Sequence, residues 1–502
     1  MEIASTNRAA LLHWLCLIAS LFLIAAITTG QLRAQTLTEV FVATYQNNPG
    51  LQSQRFQTRG VDESVPEALS GYRPKIVGDV FYGVTSHNAT KWNSNAISDR
   101  SYGYGAQIEQ PLFDGFRTRN RVSEAEAEVS ASHQNLRARE SEVLFQAATS
   151  YFDVLRNEGV VLYRRKNLTA LRRELVGARE RLGRGQSTMT AVEQTKQRMA
   201  LARSDLEAAS AQLRISRIKF ARVTGLKPRK LRMPRLPRAL WPRTLRGAIE
   251  TAENSSPIIR AAHSKHRAAR HAIAKVRGEL LPEATLVGSF DRSFDASTDI
   301  LDESSASIVG RLRVPLYQGG AVSARVRRAH NVAASRDRDM RDAKLRVGEA
   351  VGAAWTELGA ARRRLIIEKD AVVAGERALD AVREEQRAGQ RTLLDILDAE
   401  RELVNARIRL LTTRRDLHVS TFALLRSTGE LTIARLAPGT EQYDPKQHYH
   451  AVRGKWWGTK SPVAGGSNFL GNAHREERGQ GTRQDPKVAA RSWRTQVKMD
   501  RR

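Results

Sequence analysis

Gln110-Pro111-Leu112-Phe113-Asp114-Gly115 returns as Val314-Pro315-Leu316-Tyr317-Gln318-Gly319, with the proline moved by 204 positions. The same 204 carries Gly185-Gln186 onto Gly389-Gln390, Thr188 onto Thr392 and Thr224-Gly225 onto Thr428-Gly429. No gap is needed between Pro111 and Gly225. Upstream, Pro49 answers to Pro257 and Pro74 to Pro282 at an offset of 208, so the first copy carries four extra residues between Pro74 and Pro111. One offset held through so many positions marks a tandem duplication.

Each copy reads as a short helix, two strands, a long helix and a second helix. In the second copy Val347, Val351, Ala354, Leu358, Ala361, Leu365 and Val372 follow the alternating spacing of a left-handed coiled-coil seam. A helix from about Val322 to Gln386 would run to roughly 98 Å at about 1.5 Å per residue. Such a length points to a rod or tube. Gly185 and Gly389 fall where left-handed C-caps are expected, and Thr188 and Thr392 can start the returning helices. Each copy thus contains a helical hairpin with a Gly-Gln-x-Thr tip.

The strand regions alternate. Tyr102, Tyr104, Ala106 and Ile108 share one face, and Ile308, Gly310, Leu312 and Val314 share a face opposite Val309, Arg311 and Arg313. Partner segments run from Pro74 through Val77, Asp79 and Phe81, and from Pro282 through Ala284, Leu286, Gly288 and Phe290. At about ten residues each they have the length of tilted transmembrane β-strands, and also suit two surface hairpins packed on helices. Four strands cannot close a barrel, and lipid does not tolerate open edges, so membrane strands here require an oligomer. Three chains would give twelve strands above a tube of long helices.

At 502 residues the chain is too long for one small module. Its 41% hydrophobic and 27% charged content argues against a wholly disordered chain and against a polytopic helical membrane protein. The single cysteine, Cys16, excludes a disulfide scaffold and any Cys-rich metal cluster. Arg8 precedes an apolar run from Ala9 to Thr28 that ends in Thr29, Gly30 and Leu32-Arg33-Ala34, the shape of a secretory signal. Cleavage is expected after Ala34, with Gly30 as a second candidate site and an uncleaved anchor as the alternative.

With both copies in register from roughly Leu37 to Ala437, the chain resembles the TolC family of outer-membrane efflux and type I secretion channels. The resemblance is carried by Tyr45-Gln46-Asn47-Asn48-Pro49, by the two Pro-Leu-aromatic strand ends, and above all by Gly389-Gln390-Arg391-Thr392-Leu393-Leu394-Asp395-Ile396-Leu397-Asp398-Ala399. It implies a mainly α fold with membrane β: a homotrimer whose twelve-stranded β-barrel in the outer membrane is continuous with a long α-helical barrel crossing the periplasm. It implies an exit duct of a tripartite efflux pump or type I secretion system in a Gram-negative bacterium. Such a duct works without catalysis or cofactor and docks to a periplasmic adaptor protein and an inner-membrane transporter.

The resemblance also assigns roles at the tip. Asp395 and Asp398 would line the periplasmic entrance as acidic rings, and Arg391 would help hold it closed through a link to the neighbouring hairpin. Asp395 and Asp398 stand at i and i+3, on one helix face; from spacing alone, Asp395 could equally be a first-turn acid favoured by the helix dipole and Asp398 a solvated one. The family's closing link often uses an aspartate in the first tip and a tyrosine before the second glycine. Here those positions are Ala191 and Gln386, which leaves Thr190 as a partner for Arg391.

The chain then divides into a leader (1–34), a first repeat (35–226; strands in 74–112, tip near 183–190), a linker (227–246), a second repeat (247–437; strands in 282–316, tip near 387–398) and a tail (438–502). The linker carries eight basic residues, no acid and four prolines, and reads as an extended connector. The tail, with 13 basic and 6 acidic residues, is expected to be disordered and dispensable for trimerisation. His448 and His450 lack acids at fixed spacing and are read as incidental, so no metal site is expected. Much of the +29 formal charge therefore sits in linker and tail, and no nucleic-acid module accompanies it. A soluble periplasmic coiled-coil adaptor is the competing reading; it would share the hairpins but would not need duplicated strand pairs.

Overall fold

The computed structural model describes residues 35–87, 97–234, 242, 244–297 and 300–460. The expected leader over 1–34 and the tail beyond 460 lie outside the described residues.

The short helix expected at the head of each copy is split at its proline. Helix α1 (Leu37–Asn47) opens with a reciprocal Thr36–Glu39 capping box, and Asn48 caps α2 (Pro49–Asp62), accepting the Leu51 N–H at 3.0 Å. A short α3 (Ser64–Leu69) follows. In the second copy the break falls at Ser256-Pro257, between α6 (Leu245–Ser255) and α7 (Pro257–Arg277). Each proline sits at the first helical position, where its missing N–H is no loss.

The long helices are α4 (Arg117–Gly183) and α8 (Ala321–Arg387), 67 residues each. At about 1.5 Å per residue each is about 100 Å long. Val347, Val351, Ala354, Leu358 and Ala361 are buried on α8, with Leu365 and Val372 half-buried. Stepping back by 204 gives Val143, Ala147, Ser150, Val154, Asn157, Val161 and Leu168 of α4, all of them buried. The two copies therefore bury the same seam. Toward the sheet α7 packs against both long helices; toward the tips α5 (Met189–Thr224) returns along α4, and α9 (Leu393–Ser427) along α8 and α4.

The largest core is a waist where α1, α4, α5 and α9 meet. It joins Phe41, Leu144, Tyr151, Phe152, Phe220, Phe422 and Leu431, with Phe41 edge-on to Phe422 at 5.6 Å. Burial pushes the Tyr151 phenol up to about 12, so it stays protonated and donates to the Arg232 carbonyl at 2.5 Å. That bond pins the linker, whose residues 227–234 have no regular secondary structure. His418 stacks on Phe152 at 4.7 Å, and burial lowers its pKa to about 4. At neutral pH the waist thus holds an uncharged imidazole.

Strands β1 (Lys75–His87), β2 (Ile97–Phe113), β3 (Glu283–Ser297) and β4 (Ile300–Arg313) form one antiparallel sheet in the order β1-β2-β3-β4. They run to 13–17 residues, longer than the ten expected. Strand β2 passes through Pro111 because the last β1 pair is Lys75–Glu109, so the missing N–H meets no β1 partner there.

The tail departs from expectation. Its described part, to residue 460, is structured, and α11 (Pro445–Arg453), which follows the four-residue α10 (Ile433–Leu436), lies on α2 and α3. Net charge concealed a short amphipathic helix: His448 and Val452, one turn apart, are buried. His448 is not incidental, since its Nδ1 lies 3.1 Å from the fully buried Asp62, which also meets His133 Nε2 at 3.0 Å. Among the described residues no group of three or more His, Cys, Asp or Glu able to hold a metal occurs. A chain ending before Thr440 should therefore melt below the full-length protein. His448→Ala, which leaves Asp62 with one imidazole, should cost about 1–3 kcal/mol in a thermal unfolding series.

Candidate functional site

Two regions can carry transport, the sheet and the hairpin tips. Pairing across the sheet puts Ile76, Val80, Tyr82 and Val84 of β1 on the same face as Tyr102, Tyr104 and Ile108 of β2. That face continues through Leu286, Phe290 and Phe294 of β3 to Ile308 and Leu312 of β4. The opposite face carries Asp79, Gln107, Glu109, Ser289, Asp291, Ser305, Ser307 and Arg311. Val77 and Phe81 also stand on this polar face, beside Asp79, with the Phe81 ring over Gly103. Within the chain the apolar face is bare: Val80 is 85% and Ile308 81% exposed. Tyr102 stacks on Phe294 at 5.1 Å, and on this same face Arg292, opposite Tyr104, is neutralised by two bonds to Asp302, at 3.1 and 2.7 Å.

Both tips close in the same way. Gly185 and Gly389 take φ of +71° and +77°, where a side chain would be strained. The Gly185 N–H donates to Leu182 and the Gln186 N–H to Arg181; Gly389 and Gln390 repeat the pair onto Gln386 and Glu385. These are the bonds of a left-handed helix C-cap. Thr188 then caps α5, accepting from the Ala191 N–H at 3.2 Å.

Thr392 caps α9 with Asp395 as its reciprocal partner. The Thr392 hydroxyl and N–H both donate to the Asp395 carboxylate, at 2.7 and 2.9 Å, which holds its pKa below the ordinary 3.8. Asp395 is therefore charged across the physiological range. Asp398 accepts from Arg198 Nη1 at 2.8 Å and pairs with Arg401 at 3.2 Å. Since Arg198 stands on α5, Asp398 ties the second hairpin to the first. Arg391 donates through Nε to Glu385 at 2.8 Å, across its own turn, and this pairing raises its pKa. Thr190 lies exposed in the first turn of α5 and is not joined to Arg391 within the chain.

Arg198 and Glu385 are the tip residues that sequence reasoning missed. The offset of 204 maps Arg198 onto Glu402 and Glu385 onto Arg181, both reversed charges, which were the available signal that the two hairpins differ there.

A twice-built protomer with two long helical hairpins and one sheet, apolar on one side and polar on the other, is the architecture of an outer-membrane duct. Residues 41–226 and 248–430 each match a family described as outer membrane efflux protein, so the match itself falls in two copies. The chain belongs to this family of channel proteins, and it is an outer-membrane exit duct for efflux or type I secretion. Among relatives, it is 36% identical to the outer membrane efflux protein BepC of Brucella suis over 447 residues, 88% of this chain and 96% of that one. It is 25% identical to the outer membrane protein TolC of Vibrio cholerae, over 82% of this chain and 95% of the relative. The crystal structure of the Campylobacter jejuni CmeC outer membrane channel superposes with a TM-score of 0.73, at 14% identity, over 83% of this chain and 89% of that one. The competing reading as a soluble adaptor falls with the family assignment.

Proposed function

We propose that three copies of this chain assemble into one continuous conduit, in which twelve strands cross the outer membrane and the hairpins enclose a periplasmic tube. The observation that carries this is the sheet itself: its apolar face is uncovered, and β1 and β4 end it as unpaired edges. Lipid accepts the first and forbids the second, so the strands must close on other copies. From Ile76 to Val84 the apolar face spans nine residues, about 20 Å of height at a tilt of about 40°, near the ~25 Å band of such barrels. The polar face would line the lumen.

The conduit performs no catalysis and takes no cofactor; its partners are a periplasmic adaptor, an inner-membrane transporter and outer-membrane lipid. At the threefold axis, Asp395 and Asp398 of each copy would converge on the entrance. Arg391 would be shared between Glu385 of its own chain and Thr190 of a neighbour. The test is direct: the mature chain should begin near Gln35, fractionate with outer membranes and run in detergent with the mass of three chains. A detergent species of one chain would overturn the assembly.

A further inference from the structure

We propose that the ordered end of the tail is a lipid anchor, in which Trp456 and Trp457 seat in the anionic headgroup layer of the periplasmic leaflet of the outer membrane. The inference rests on the reading that the sheet's apolar face lies in lipid. Trp456 is 62% exposed and Trp457 88%, side by side just beyond α11, whose own apolar residue Val452 is fully buried on the protein. The Trp457 ring is therefore left over from packing, while Trp456 packs on Arg73 and keeps most of its surface free.

Their height on the molecule is fixed. Arg73 donates through Nη1 to the Lys455 carbonyl at 2.9 Å, and its guanidinium lies 4.8 Å from the centre of the Trp456 ring. Arg73 stands two residues before β1 and three before Ile76, where the apolar face begins. Three extended residues span at most about 10 Å, and the headgroup layer on each side of the hydrocarbon is roughly 5–8 Å thick. Trp456 and Trp457 thus lie at the level of the membrane–water boundary, the depth that tryptophan favours. Exposed Tyr72 sits in the connection from α3 to β1, and exposed Phe116 in that from β2 to α4.

Charge selects the kind of surface. Arg73 lies over Trp456, Lys455 precedes the pair and Lys460 follows three residues after it, Lys75 stands two residues beyond Arg73, and Arg453 is held by Glu126 at 3.0 Å. A basic cluster next to an apolar anchor matches anionic phospholipid headgroups.

The test uses the full-length protein in a Cys16→Ser background, with one introduced cysteine carrying an environment-sensitive fluorophore. It is reconstituted in phosphatidylethanolamine–phosphatidylglycerol vesicles that contain lipids with a nitroxide near the headgroup or near the acyl-chain end. At Trp457→Cys the shallow nitroxide should quench severalfold more than the deep one, and the quenching should fall when phosphatidylglycerol is left out. Val80→Cys, on the apolar face of the sheet, should be quenched, and Gln186→Cys, at the helical tip, should not. Quenching at 80 with none at 457 overturns the anchor and leaves the barrel standing. No quenching at either position overturns the barrel and the anchor together. A blue-shifted label at 457 that no lipid quenches would mean a protein neighbour covers the tryptophans, which also overturns the proposal.

Discussion

Gly115→Ala should destabilise the protomer by about 2–5 kcal/mol, whereas Gly319→Ala, at the equivalent place in the second copy, should leave a more stable protomer that assembles poorly. Gly115 takes φ +67°, and a Cβ there would stand 2.2 Å from the Gly278 carbonyl oxygen and 2.9 Å from Leu281 Cβ. Gly278 is held as tightly, since its own Cβ would lie 2.4 Å from the Gly115 oxygen. Two backbones cross here, the β2-to-α4 turn of the first copy and the α7-to-β3 turn of the second, and neither can yield. The left-handed backbone costs an alanine about 1–2 kcal/mol, and overpacking at least a further 1–3 kcal/mol. Gly319 has φ +60° but meets nothing within 4 Å inside the chain, so its protomer bears only the backbone cost.

A ring of duplicated units repeats between chains the contact that it makes within one. The turn that Gly319 would face in a trimer is therefore the equivalent of Gly278–Leu280, which is Ser70–Tyr72 of the next copy. Thermal melts and the yield of detergent-resistant oligomer separate the two effects. Equal behaviour of the two variants would show that the crossing at Gly115 is not tight.

At the tip, Asp395→Asn together with Asp398→Asn should lower the cation preference of reconstituted channels by on the order of tenfold, because focused acidic mouths concentrate cations by at least that much. Folding should survive, since asparagine at 395 keeps an oxygen for the Thr392 N–H. Arg198→Gln should act in the opposite direction. It frees Asp398 from its partner at 2.8 Å, exposing the acid and cutting the tie between the hairpins, so cation preference and conductance should both rise. Arg391→Ser should loosen the closed tip less, because within the chain Arg391 is bound to Glu385 of its own turn. The pH dependence has a definite sign. A carboxyl with its pKa held down keeps its charge as pH falls, so the selectivity contributed by Asp395 should fade only below the ordinary 3.8. Unchanged selectivity in the double asparagine variant, read in planar bilayers, would remove both acids from the entrance.

Features that repeat locally were legible in the sequence. The seam from Val347 to Ala361 follows helical spacing, and Gly185 and Gly389 mark turns that demand positive φ, so both could be placed without a structure. The shared face of Tyr102, Tyr104 and Ile108 followed from the two-residue period of a strand. For β1 that period leaves the face open, and the register decides it: Ile76, Val80 and Tyr82 face the apolar side, and Val77, Asp79 and Phe81 do not. The run Val80-Phe81-Tyr82 is apolar throughout and leaves the phase undetermined. Pairing of β2 with β3, which joins the copies, depends on contacts between segments nearly two hundred residues apart, and no local pattern encodes it. Arg198 and Glu385 carry only the reversed charge of their counterparts Glu402 and Arg181, since salt bridges have no period and arginine is everywhere on these helices. The tail helix was masked by its charge, since two buried residues one turn apart are too few to raise a periodic signal.

The waist gives the molecule a mechanical property. Phe152 and Phe422 fix α4 and α9 at one level, while the turn at Gly183 lies 31 residues further along α4, about 47 Å away. Helices of this kind are stiff, so a tilt of about five degrees about this fulcrum sweeps the tip through about 4 Å over that arm. That displacement exceeds the reach of a hydrogen bond such as the one from Arg198 to Asp398. The duct could thus unlatch by leverage, with its aromatic hinge unmelted and every helix intact.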